Sequence, residues 1–349
     1  MIPGSDTPVK RVGLKTVVSR QGGPMSPVRF GIIGTNYISD WFVQGCQESD
    51  GAGEAVAVYS RAQETGQAFA NRYGIDTVFT DLDAMFEVVD AVYVASPNGF
   101  HFEQAMKAIE AGRHVLIEKV MGTSSAEVET IFETGEKQGV VVMEAMRHLH
   151  APAHQMLRDW LPKLGTLRQV QFNKCQYSGR YDRYRQGEIL NAFNPALGNS
   201  SIADIGVYVM QPALDLFGSP LDTHGSSIVL HNGFEGAGSM TWRYSDFIVD
   251  LTWSKITKGV TPSVILGEDG ALTADDLGEP TLIQYHPRGG ETVTLLDAPN
   301  TPPQTMHHEV RAFAKQVEAG RTDPRFRDVS VACRRLMDKH LERVALQSQ

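Results

Sequence analysis

Cysteine is scarce. Cys46, Cys175 and Cys333 are the only three in 349 residues, and they stand far apart, with neither a disulfide framework's density nor a metal site's spacing. That usage suits a reducing, cytoplasmic compartment. Positive charge is also in deficit: 32 Lys and Arg face 41 Asp and Glu, a net charge of −9. A nucleic-acid binder needs a basic footprint to neutralise phosphates, so that class is excluded as an expectation. No run approaches the roughly eighteen apolar residues of a membrane-spanning helix. Met1 to Pro24 lacks the apolar centre of a secretory signal, and its Gly, Pro, Ser and basic residues predict a disordered extension over residues 1–27.

What remains is an ordinary globular balance, 42% hydrophobic and 21% charged, in a chain long enough for two cores. From Val28 short apolar runs alternate with helical patterns. Strands are predicted at Val28–Ile33, Ala55–Tyr59, Thr77–Phe79, Ala91–Ala95, His114–Ile117 and Val140–Met143. Such alternation means βαβ units and a parallel sheet, with its ligand crevice at the strands' C-terminal ends. This Rossmann-type α/β domain is placed at residues 28–147. Beyond it the period changes to two: Met240, Trp242 and Tyr244 alternate, then Val249, Leu251 and Trp253, with Ser245-Asp246 as a hairpin turn between them. Two helices near 306–319 and 329–346 close the chain. Residues 148–349 are therefore an α+β domain on a mainly antiparallel, open-faced sheet, expected to bind substrate and to drive oligomerisation.

Between the first strand and helix stands Gly34-Thr35-Asn36-Tyr37-Ile38-Ser39, in the place of the G-x-G-x-x-G phosphate loop. The first glycine is kept for the tight turn, and Ser39 is small enough for the helix to pack on the strand. Asn36 replaces the second glycine and brings bulk toward the pyrophosphate. At the end of the second strand an NAD-selective domain carries an acid for the ribose hydroxyls. Here the residues are Ser60-Arg61, a hydroxyl and a guanidinium that suit a 2′-phosphate, so NADP is expected as cofactor, with NAD possible.

These residues, with Ser96-Pro97-Asn98 and His101, Gly112-Arg113-His114-Val115-Leu116-Ile117-Glu118-Lys119, and Asp204-Ile205-Gly206-Val207-Tyr208, resemble the Gfo/Idh/MocA oxidoreductase family. The likeness runs from Val28 onward and points to the glucose–fructose oxidoreductase and dimeric dihydrodiol dehydrogenase branch. It implies a nicotinamide held between the two domains, with Ser96, Pro97, Asn98, His101, Glu118 and Lys119 among the cofactor contacts. It implies that Lys119 lies beside substrate and that Asp204 and Tyr208 reach it from a helix of the second domain. Val120 departs from the family's Pro after the lysine, which suggests a reshaped loop. Asn199-Ser200-Ser201 departs from its glycine-rich turn before Asp204.

Hydride transfer at a CH–OH or C=O carbon also needs a proton moved at the neighbouring oxygen. Tyr208 is the candidate, with Lys119 expected to lower its phenol from an ordinary value of about 10; Lys119 itself is the alternative. Asp204, four residues before Tyr208, is expected on the same helix face, orienting substrate or holding Lys119 charged. Asn191 is a candidate substrate contact, as is the Arg- and Tyr-rich segment Tyr177 to Arg185. The expected substrate is a sugar, polyol or cyclic diol. A dinucleotide-sensing regulator on the same scaffold is the alternative. His148, His150 and His154 straddle Pro152, so no metal site is expected from them. A flat apolar sheet face is expected to support a homodimer or homotetramer.

Overall fold

The computed structural model describes residues 26–299 and 302–347. Most of the extension expected before Val28, up to Met25, lies outside the described residues.

The first half runs β1 (Val28–Ile33), α1 (Tyr37–Gln47), β2 (Gly53–Tyr59), α2 (Gln63–Tyr73), β3 (Thr77–Phe79), α3 (Leu82–Phe86), β4 (Ala91–Val94), α4 (His101–Glu110), β5 (His114–Glu118), α5 (Ser125–Gln138) and β6 (Val142–Ala145). All six strands are parallel, in the order β3-β2-β1-β4-β5-β6. The strand order reverses between β1 and β4, and that point opens the crevice in which a doubly wound sheet binds its ligand. β4 is buried along its whole length, as its unbroken apolar run requires of a strand covered on both faces. β6 begins two residues later than expected. The left-handed Gly139 closes α5, and the Val140 amide is spent on the Gly135 carbonyl at 3.0 Å, so Val140 ends a helix rather than starting a strand.

The second half supplies α6 (Pro152–Trp160), β7 (Leu167–Cys175), α7 (Tyr181–Arg185), α8 (Val207–Phe217), β8 (Asp222–Val229), β9 (Glu235–Arg243), β10 (Ile248–Ser254), β11 (Ser263–Gly267), β12 (Gly270–Ala274), β13 (Leu282–Pro287), β14 (Val293–Asp297), α9 (Pro302–Ala319) and α10 (Pro324–Gln347). Eight strands line up as β14-β13-β12-β11-β7-β10-β9-β8, antiparallel except for the β7–β10 pair. The expected hairpin is β9–β10, with Trp242 opposite Val249 and Met240 opposite Leu251. Met240, Trp242, Val249, Leu251 and Trp253 all point into one core beneath α8 and α10. The other face is not the apolar surface anticipated. Gln169, Gln171, Thr241, Asp250 and Thr252 stand on it, because an alternating strand buries its apolar set only once.

α9 follows the second sheet in the chain yet returns to the first. Met306, Val310 and Phe313 share a core with Phe30 and Phe42. The approach to α1 is so close that a Cβ on Gly45 would lie 2.6 Å from that of Met306.

Candidate active site

The cofactor half of the crevice is shaped by backbone. Gly34 has φ +113, and a Cβ there would sit 2.7 Å from the Ala95 carbonyl oxygen, so only glycine fits. Asn36 is extended (φ −88, ψ 177) and caps α1. Its Oδ1 accepts from the Ile38 and Ser39 amides at 3.0 and 3.3 Å, while Nδ2 donates to the Ala95 carbonyl at 2.6 Å. The residue needs no glycine-like backbone, and its side chain serves amides that would otherwise be free at the helix end. A cavity of about 590 Å³ beside it is lined by Gly34, Thr35, Ser60, Arg61, Ser96 and Pro97. Arg61 is exposed and has no carboxylate partner among the described residues. A cradle without Cβ, a helix N-terminus and an unpaired guanidinium fit a phosphorylated dinucleotide.

A second cavity, about 690 Å³, continues between the domains and brings Asn36, Asn98, Glu118, Lys119, Asp204 and Tyr208 together. Tyr37, Ile38, His101 and Asn191 also line it. Asn98 donates to Asn199 Oδ1 at 3.1 Å, so the departing Asn199 joins the two halves. His101 is buried, its ring nitrogens 2.7 Å from the Ser96 carbonyl and 2.9 Å from that of Val120. It braces the loop after β4 against the loop after β5. The Lys119–Val120 peptide is cis. Despite Val120, Lys119 reaches the cleft.

The Lys119 ammonium donates to Asp204 Oδ1 at 2.7 Å and to the Asp204 carbonyl at 3.0 Å, leaving one of three N–H bonds for a ligand. Lys255 holds the other carboxylate oxygen at 2.8 Å. Burial works against the Lys119 charge, but Asp204 and Tyr208 outweigh it and hold the ammonium above its ordinary range. Burial would likewise push Asp204 up, yet Lys119 and Lys255 together keep it well below the usual carboxylate range. Tyr208 behaves differently from the expectation. Burial raises its phenol, and the pull of Lys119 and Arg147 reduces that rise without reversing it. Its hydroxyl makes no hydrogen bond to a described residue and so is free toward the cleft, and burial favours its protonated form.

Asp204 and Tyr208 do not share one regular helix. Asp204 lies in a π turn, Ile202–Gly206, that runs into α8. Glu235 pins the turn's start, accepting from Ser201 Oγ and the Ile202 amide at 2.7 Å and from Trp253 Nε1 at 3.0 Å. Glu118 is buried, accepting from the Tyr93 hydroxyl and, at 3.2 Å, from the Lys119 amide. Burial raises it above the ordinary range despite those donors.

Sequence reasoning missed Lys255, Glu235 and Arg147. Arg147 had a readable signal, a cation just past the C-terminal end of a parallel strand. Lys255 and Glu235 had none, because only strand pairing carries them to Asp204. The three histidines diverge: His148 packs on Tyr208 at 5.3 Å between ring centroids, His150 on Phe326 at 4.4 Å, and His154 bonds Asp215 at 2.6 Å. Arg180 and Arg183 line the cleft, whereas Tyr181 and Tyr184 turn inward onto Phe193.

A Rossmann sheet, an open second sheet and a lysine–carboxylate–phenol cluster between them define a nicotinamide-dependent oxidoreductase architecture. The chain belongs to the GFO_IDH_MocA family, described as an oxidoreductase family with an NAD-binding Rossmann fold, which matches residues 28–146. Among its relatives, the uncharacterized oxidoreductase YgjR of Escherichia coli (strain K12) is 40% identical over 83% of this chain and 88% of its own length. The scyllo-inositol 2-dehydrogenase (NADP(+)) IolU of Bacillus subtilis (strain 168) is 37% identical over 85% of this chain and 90% of its own. Levoglucosan dehydrogenase, in complex with NADH and levoglucosan, shares the fold at a TM-score of 0.80 and 18% identity, covering 93% of this chain and 98% of its own.

Proposed function

We propose that this oxidoreductase uses NADP to interconvert a secondary alcohol and a ketone on a sugar, polyol or cyclic diol, with Tyr208 and Lys119 handling the proton. The observation that carries this reading is the cluster itself: a protonated phenol with a free hydroxyl, beside a lysine kept charged by Asp204. The related IolU acts with NADP(+) on scyllo-inositol, which supports a cyclic polyol as the first substrate to try.

A bound nicotinamide would supply the hydride chemistry at the carbinol or carbonyl carbon. In reduction the Tyr208 O–H bond breaks and its proton passes to the carbonyl oxygen, so a ketone becomes an alcohol and the phenol a phenolate. The free N–H of Lys119 holds that same oxygen and stabilises negative charge on it and then on the phenolate. Asp204 fixes the ammonium in place. Ser60 and Arg61 would hold the 2′-phosphate, and the loops at Gly34–Ile38 and Ser96–Asn98 would hold the rest of the dinucleotide. Asn191, across the cleft, contacts substrate hydroxyls.

The test is a spectrophotometric screen of inositols, aldoses and cyclic diols with both cofactors, followed by Tyr208→Phe and Lys119→Met. Each should cut kcat by about 10²–10⁴, the usual worth of a positioned acid–base group. The double variant should lose little more, because groups acting as one unit are not additive. Full turnover by Tyr208→Phe would refute the assignment. Tight NADP binding with no turnover of any compound would favour the sensing role instead.

A further inference from the structure

Tyr208 must shed a proton into a site where Lys119 is already engaged by Asp204, and a second cation lines the same cavity as its phenol. Arg147 is the second residue after β6, and its side chain is 9% exposed in the cleft wall. One guanidinium nitrogen donates to Glu279, on the turn between β12 and β13, and the other to Thr305 on α9. Two distant segments thus clamp one guanidinium. Arg147 lines the cleft and Glu279 does not.

We propose that Arg147 is a positioning residue for the proton donor, a clamped guanidinium that steadies the negative charge left on Tyr208 when its proton departs. The inference rests on Tyr208 being the proton donor.

The other groups around the phenol leave Arg147 to share this task with Lys119. Lys119 stands 5.2 Å from the ring centre, matched by Asp204. Lys174, from β7, stands 5.8 Å from it, matched by Asp276. His148 packs tilted against the ring with neither nitrogen hydrogen-bonded to a described residue, and burial favours its neutral form. Gly278 abuts the ring's edge, where a Cβ would come within 3.1 Å. Of the acids behind Lys119, Glu118 is held high by burial, and Glu309, fully buried with both oxygens unbonded, is pushed far above its ordinary range by burial and by Glu118. Burial also opposes the Arg147 charge, and Tyr208 and Glu279 more than restore it. A guanidinium cannot surrender its proton, so it supplies charge at every working pH.

The sign of the effect separates this role from simple bracing. Replacing Arg147 removes positive charge beside the phenol and should make it less acidic. Neutralising Glu279 unmasks the same guanidinium and should make the phenol more acidic. A brace predicts lower stability from both changes and no such opposition.

The test is a fluorine NMR titration of the full chain labelled with 3-fluorotyrosine, with the Tyr208 resonance assigned by its loss in Tyr208→Phe. Arg147→Met should lower the acidity of Tyr208 by roughly tenfold, the low end of what a nearby opposite charge provides. Arg147→Lys should stay near the parent value, and Glu279→Gln should move the other way. These two variants retain a cation or a hydrogen-bonding amide and decide the matter if Arg147→Met does not fold. Shifts of the same sign in Arg147→Lys and Glu279→Gln, or none in any variant, would overturn the inference. The readout needs no substrate, so it fails or succeeds separately from the turnover of Tyr208→Phe. The same opposition of signs should appear in the pH profile of kcat.

Discussion

Arg61 stands exposed beside the cavity lined by Gly34 and Ser60, at the strand end where an NAD-selective domain carries an acid for the ribose hydroxyls. Losing one charge-assisted contact costs about 1.5–3 kcal/mol, roughly ten- to a hundredfold in affinity. Arg61→Ala should weaken NADP binding by that factor and leave NAD binding nearly unchanged, as fluorescence titration with each cofactor will show. Equal losses for both, or a parent chain that prefers NAD, would refute the reading. Asn36 teaches a different lesson at this scale. Its identity warned of a defective phosphate loop, yet the structure makes it the N-cap of α1. The capping bond was legible in principle, since Asn before a helix is a standard signal, but the fingerprint drew attention to what was missing.

At the scale of elements, Asp215 joins three helices. It sits on α8 with its carboxylate fully buried, bonded to His154 and Arg158 of α6 and, at 2.6 and 2.7 Å, to Arg325 of α10. Burial pushes Asp215 up, but His154 and Arg325 hold it well below the ordinary carboxylate range. Removing one member of a buried ionic cluster costs about 3–5 kcal/mol, and the part-exposed arginines place this case near the lower figure. Asp215→Asn should therefore lower the stability measured by urea unfolding by about 3 kcal/mol. The cluster also has a pH sign. A carboxylate whose value is depressed by folding contributes stability above its unfolded value, near 3.9, and loses it as pH falls through the folded one. The parent's acid unfolding should flatten in Asp215→Asn. An unchanged acid limb would show that the cluster carries no such energy.

At the scale of the whole molecule, the eight-stranded sheet has one face covered by helices and one left bare by the described residues. The bare face is mostly hydroxyl and amide, but Ile228, Ile248 and Leu282 stand exposed on it at 60%, 38% and 36%. Apolar side chains amid polar ones are the ordinary make-up of a protein–protein interface. We propose that a second copy covers this face, giving a homodimer or homotetramer. Light scattering at micromolar concentration should return a multiple of 38.4 kDa. A monomer mass would end the proposal.

The parallel sheet, the hairpin of the second domain and the family signature could all be read from the residues, because each rests on period, turn chemistry or a contiguous motif. The cluster of Lys119, Asp204 and Tyr208 was legible only as three separate positions joined by resemblance. What the tertiary structure alone decided has a common cause. α9 returns to the Rossmann core, Lys255 and Glu235 reach the turn that carries Asp204 through strand pairing, and Arg147 meets Glu279 and Thr305 across more than 130 residues of chain. Local sequence carries propensity and period, which depend on neighbours a few positions apart. Which buried charge faces which is settled by packing between distant segments, and so is the direction in which Tyr208 titrates: burial raises its phenol where the lysine beside it had predicted a fall.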